Sequence, residues 1–154
     1  MPKAVALKVD VVNAARAPVT PVWLRSVFRK AAQLPEVGAR LPPGRATIAV
    51  RMTDDSELRR LNRDFSARDE VTDVLSFQGE DGHLGDLAIS WPAVLRQAKL
   101  HGHGADSELA LLVVHGLLHL LGWDHTTPAQ RREMTRITVA ALAESGIALA
   151  PGRL

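Results

Sequence analysis

From Leu109 to Leu121 the chain carries no charge, and apart from His115, Gly116 and His119 every residue is apolar. A helix of that composition has no polar face to offer water, so it must be buried on all sides. At thirteen residues it is also too short to span a bilayer. The rest of the chain therefore has to wrap it. Asp106 stands near its start, and Gly122 is well placed to end it.

The wrapping elements are legible as short segments. Val5, Leu7, Val9 and Val11 alternate with other residues, the period of a half-buried strand. Thr20 can cap a helix that Pro21 opens and Pro35 ends. "RATIAVRM" is a second strand, and "DDSELRRLN" opens a short helix with Asp54 and Glu57 at capping-box spacing. "TDVLSF" and "HLGDLAIS" are two more strands, separated by a polar turn around Gly79–Gly82. Ser90 caps a helix to about Leu100. Thr127 and Pro128 start the last helix, which Gly146 closes. The expected architecture is α+β, one domain over residues 1–154. A small mixed sheet of about four strands packs with about five helices, and the candidate metal site lies on the central apolar helix.

Composition narrows the chemistry. There is no cysteine, which excludes a disulfide framework, thiolate metal sites and a cysteine nucleophile. No apolar run of signal-peptide length opens the chain, so a soluble, cytoplasmic protein without a membrane partner is expected. The net charge of +2 identifies no partner. Fifteen of the basic residues are arginine, which suits bidentate phosphate contact. A GC-rich genome supplies arginine as readily.

The chemistry concentrates in "HGLLHLLGWDH", residues 115–125. His115 and His119 are four apart, so on a helix they lie about 40° apart and one turn from each other. His125 follows the Gly122 turn and can bring back a third imidazole. Burying two imidazoles in an apolar helix costs free energy unless both are satisfied, and a metal satisfies both. Three histidines leave a fourth position open, the pattern of a catalytic rather than a structural site. Such a set suits zinc, nickel, copper or iron. His83, His101 and His103 read as surface residues.

The spacing 115, 119, 122, 125 matches the metzincin zinc-protease pattern, with one substitution. Where a metzincin has the glutamate that takes a proton from the attacking water, this chain has Gly116. Losing that base typically costs about 10²–10⁴-fold in rate. A peptidase, which must protonate an amine leaving group, suffers most. RNA phosphodiester cleavage chiefly needs charge stabilisation at phosphate.

Three blocks resemble the bacterial endoribonuclease YbeY family, also called the rRNA maturation factor. They are "HGLLHLLGWDH", with Trp123 where the family has tyrosine, "TDVLSF" at 72–77, and "LGDLAIS" at 84–90. "LN" at Leu61–Asn62 also fits, and the likeness covers roughly residues 50–135. The resemblance implies one zinc ion on His115, His119 and His125, with His115 catalytic through the metal. It implies a single-strand-specific endoribonuclease acting in 3′-end maturation of small-subunit (16S) rRNA and in ribosome quality control. The implied partners are rRNA in the 30S subunit, a small-subunit ribosomal protein and a ribosome-associated GTPase. Departures bear on substrate contact. Where the commonest family form has an arginine, this chain has Ser66, flanked by Arg63 and Arg68. Those two are the candidate phosphate contacts, and solvated helix-end charges are the competing reading. Thr72, Asp73 and Ser76 could line a polar strand edge along the cleft, or simply shape the strand. Two alternatives stay open. One is a zinc peptidase or other zinc hydrolase, with Asp86 or Asp124 as base. The other is a non-catalytic ribosome-assembly factor whose metal holds the fold.

Overall fold

A computed structural model of the chain describes residues 6–65 and 73–154. In chain order the elements are β1 (Ala6–Asn13), α1 (Pro21–Ala32), α2 (Pro35–Gly38), β2 (Arg45–Thr53), α3 (Asp55–Phe65), β3 (Val74–Gln78), β4 (His83–Ser90), α4 (Trp91–His101), α5 (Ala105–Leu120) and α6 (Pro128–Glu144). This is the expected α+β domain with a mixed four-stranded sheet. The sheet order is β1-β2-β4-β3. β1 pairs parallel with β2, β2 parallel with β4, and β3 antiparallel with β4. Among the described residues six helices appear where about five were expected. The extra one is α2, a single turn that begins at the proline read as the end of α1.

The helix starts follow side-chain chemistry. Thr20, Ser90 and Thr127 each accept a backbone N–H from the first turn they cap, with proline at the start of each helix. At α3, Asp54 accepts the Glu57 N–H at 2.9 Å, but the Glu57 carboxylate pairs with Arg51 instead of closing a capping box.

α5 sits in the middle. It packs against β3 and β4 on one side and against α1, α4 and α6 on the others. Leu109–Val114, Gly116–Leu118 and Leu120 are all buried, which is why the sequence has no polar stripe there. Leu87 and Gly85 of β4 face α5. A Cβ on Gly116 would stand 2.7 Å from Leu87 Cδ2, and one on Gly85 would stand 2.7 Å from Leu120 Cδ2. The opposite face of the sheet carries a smaller cluster, Leu58, Leu75 and Ala88, covered by α3.

Candidate metal centre

His115 and His119 project from the last turns of α5 with their Nε2 atoms 3.0 Å apart. The helix then stops in a Schellman turn. Trp123 N–H bonds to the Leu118 carbonyl and Gly122 N–H to the His119 carbonyl, both at 3.0 Å. Gly122 has φ +97°, a left-handed conformation that side chains rarely adopt. The turn reverses the chain, and Asp124 Oδ1 fixes it by accepting the His125 N–H at 2.8 Å. His125 thereby returns to the end of the helix. Its ring centroid lies 5.4 Å from that of His115 and 5.0 Å from that of His119. Just beyond, Gln130 Oε1 accepts from Thr126 N, Thr126 Oγ1 and Thr127 N, so α6 holds the other end of the turn.

One ring nitrogen from each histidine lies within 4.8 Å of the other two. Two imidazole nitrogens on one tetrahedral zinc stand about 3.3 Å apart, given Zn–N bonds of about 2.0–2.1 Å. The 3.0 Å between His115 and His119 fits that requirement. Protonation fits too. Burial, then the nearby charges of His119, His125 and Arg153, depress the His115 pKa from 6.5 to about 3. At neutral pH the ring keeps its lone pair for a cation.

Gly116 has a structural reason. The Leu87 side chain occupies the space that a side chain at 116 would need. A glutamate there would be driven into β4, so the missing base reflects how closely α5 beds on the sheet. Asp86 does not supply a substitute. Its neighbours Gly85 and Leu87 face α5, so alternation along the strand turns Asp86 to the other side. There its Oδ1 accepts from His83 Nε2 at 3.1 Å, while His83 Nδ1 meets Thr47 Oγ1 at 2.6 Å.

The remaining sequence candidates separate. Ser76 lies opposite Leu87 in the β3–β4 register, on the sheet face toward α5. Asp73 is buried at the start of β3, 6% exposed, with its carbonyl accepting the Ser90 N–H. Burial raises its carboxyl pKa, and the charge of Glu108 adds to the rise. Arg63 is exposed on α3, on the far side of the sheet, beside Asp64 at 3.4 Å. Arg68 and Thr72 lie outside the described residues.

One polar cluster was not legible in the sequence. Glu108, 0% exposed, sits two turns before His115 on α5. It takes Arg153 Nε and Nη2 at 2.9 and 2.6 Å and His103 Nε2 at 2.7 Å. His103 Nδ1 accepts the Ala150 N–H, so Nε2 carries the proton and donates to the carboxylate. His103, read as a surface residue, has a side chain only 8% exposed. Its loop position gave no hint of this. The available signal was a charged residue, Glu108, abutting an apolar helix that needs a partner.

Comparison with known proteins extends the sequence match. The family model described as endoribonuclease YbeY matches residues 14–146. A protein of that name from Roseiflexus castenholzii is 42% identical, over 68% of this chain and 73% of its own. One from Chloroflexus aggregans is 41% identical, over 79% of this chain and 88% of its own. A solution structure of a Thermotoga maritima protein covers 98% of this chain and 100% of its own, with a TM-score of 0.58. At 20% identity that likeness concerns the fold alone.

Proposed function

The chain belongs to the endoribonuclease YbeY family, and from that premise we propose that it is a zinc-dependent endoribonuclease cutting single-stranded RNA. Its proposed task is 3′-end maturation of small-subunit (16S) rRNA and ribosome quality control. The proposed setting is the cytoplasm, with a small-subunit ribosomal protein and a ribosome-associated GTPase as partners. Among the described residues no helix is long and apolar enough to cross a membrane.

The observation that carries the reading is the convergence of three imidazoles beside a glycine, packed on Leu87, that carries no base. In this proposal His115, His119 and His125 hold the ion. A zinc ion there supplies Lewis-acid stabilisation of charge on a phosphoryl oxygen. Gly116, with the Leu87 side chain packed against it, offers no carboxylate, so the proton shuttle that peptide hydrolysis relies on is absent there. Asp86 points away. Ser76 is proposed to border the substrate path and Arg68 to contact phosphate, while Arg63, across the sheet from the histidines, is proposed to meet RNA away from the cut bond. A phosphodiester in RNA carries its own potential nucleophile in the 2′-hydroxyl, so it suffers least from the missing base.

The test is cleavage of a labelled single-stranded RNA by purified protein, chelated protein and zinc-restored protein, beside folded His119→Ala. Activity should vanish on chelation, return with zinc, and fall at least about 10²-fold in the variant. A folded His119→Ala that cuts as fast as the parent refutes the assignment. If that variant still supports rRNA maturation in cells, a non-catalytic assembly role is favoured instead.

A further inference from the structure

The turn that presents His125 is braced from a distant part of the chain. Arg40 follows α2, its backbone N–H bonded to the Val37 carbonyl at 3.1 Å. Its guanidinium carbon stands 3.6 Å from the centroid of the Trp123 ring. Its Nη1 donates to the Leu121 carbonyl at 3.4 Å, across 81 residues of sequence. Leu121 caps α5, and Trp123 is the residue after the Gly122 reversal. Arg40 therefore grips the turn on both sides of its glycine. A Cβ on Gly122 would already stand 3.7 Å from Arg40 Nη1. Trp123 is 6% exposed, and its indole N–H has no acceptor among the described residues. The ring is thus fixed by packing and by the cation over it, not by a hydrogen bond of its own. On the far flank, Glu36 of α2 takes both Nη atoms of Arg136 on α6, at 2.6 and 3.3 Å. Arg40, just after α2, thus meets the turn directly, while Glu36 within α2 ties the same stretch of chain to α6.

We propose that Arg40 is a positioning residue for the metal centre, acting through Trp123 to fix the 121–125 turn from which His125 reaches the ion. The inference rests on the reading that the three histidines hold a metal. His115 and His119 are set by helix geometry, whereas His125 stands on a loop. A loop ligand loses conformational freedom when it binds, and fixing it beforehand removes that cost from the binding step. A solvent-exposed cation over an aromatic ring is worth about 2- to 5-fold in an equilibrium constant, and Arg40 is exposed. With the carbonyl contact added, Arg40 should strengthen zinc binding by about 3- to 10-fold without touching the ion.

The test is zinc affinity by chelator competition, together with the absorption spectrum of the cobalt(II)-substituted protein. Arg40→Ala should bind zinc about 3- to 10-fold more weakly and change the cobalt bands, which report the geometry at the ligands. Arg40→Lys keeps the charge without the planar face and should fall between parent and Arg40→Ala. Trp123→Leu should also weaken binding, and adding Arg40→Ala to it should cost little more, because the arginine acts through the ring. Arg96→Ala, which removes an exposed arginine paired with Asp55 elsewhere, should leave zinc affinity unchanged. A merely structural Arg40 would lower the melting temperature of metal-free protein but leave zinc affinity and the cobalt spectrum at parent values; that result overturns the proposal. A parent that binds no zinc overturns both this inference and the metal reading. A parent that binds zinc but cuts no RNA strikes only the proposed activity.

Discussion

Removing Arg153 should destabilise the protein far more than its place near the chain end suggests. Glu108 is fully buried, and its partners are the two Arg153 nitrogens at 2.9 and 2.6 Å and His103 Nε2 at 2.7 Å. Burial pushes the Glu108 carboxyl pKa up, but the hydrogen bonds from Arg153 and His103 and their charges more than reverse this and hold it below 4.5. Arg153→Ala leaves a buried carboxylate with His103 Nε2 as its one remaining side-chain partner. Breaking a buried pair from one side typically costs about 3–5 kcal/mol. That is a large share of a domain's total of about 5–15 kcal/mol. At about 2–4 °C per kcal/mol for a chain of this size, Tm should fall by about 6–20 °C. The pH dependence should change with it. In the parent, a lowered carboxyl pKa contributes stability that is present above the unfolded pKa and lost as pH falls through the folded one. In Arg153→Ala burial dominates and the pKa rises above the ordinary value. The charged form then costs stability, which acidification relieves, so the gap between parent and variant should narrow as pH drops from 7 toward 5. Glu108→Gln combined with Arg153→Met keeps an acceptor for His103 and removes the charge, so it should recover most of the loss. Thermal melts across that pH range decide the matter. An Arg153→Ala protein melting within about 2 °C of the parent at pH 7 would refute the reasoning.

Three further outcomes follow from the same contacts. Gly116→Glu should gain no peptidase activity and should lose more than about 3 kcal/mol in denaturant melts, through overpacking against Leu87 and an unpaired buried carboxylate; a variant as stable as the parent would mean that the helix is free to shift. In chelated protein, His115 binds its proton only near pH 3 when folded but near 6.5 when unfolded. Between those values the unfolded state holds more protons, so stability should fall on acidification by up to about 1.4 kcal/mol per pH unit; His115→Gln should show a shallower slope, and an identical slope would count against it. Ser90, 0% exposed, both caps α4 and donates to Asp55 at 2.6 Å. Ser90→Ala should therefore cost about 1–3 kcal/mol by urea unfolding, and a loss under about 0.5 would show that neither bond matters.

The parts of this molecule that the sequence revealed are those set by local rules. The 115–119 spacing, the Gly122 stop and the caps at Thr20, Ser90 and Thr127 each depend on residues within a turn or two. What stayed hidden depends on distant pairing. The strand order β1-β2-β4-β3 cannot be read from segments that look alike in isolation. The helix α2 is four residues long, too short for periodicity to mark. Arg40 and Trp123 lie in unremarkable contexts, 83 positions apart, and only the fold brings them together. His103 looked like a loop histidine because its partner's burial depends on a carboxylate–arginine pair spanning 45 residues.

Two demands meet at position 116. A hydrolytic zinc site of the metzincin pattern asks for a carboxylate there, and a helix bedded on β4 asks for no side chain at all. Leu87 and Leu120, packed against Gly116 and Gly85 in turn, show that the second demand prevails along the α5–β4 contact. Restoring the carboxylate would first require the buried Leu87 side chain to move out of its way. On the proposed reading the fold keeps its ligands and gives up the shuttle. That exchange is tolerable only where the substrate's main need is charge stabilisation, and a phosphodiester meets that condition better than a peptide does.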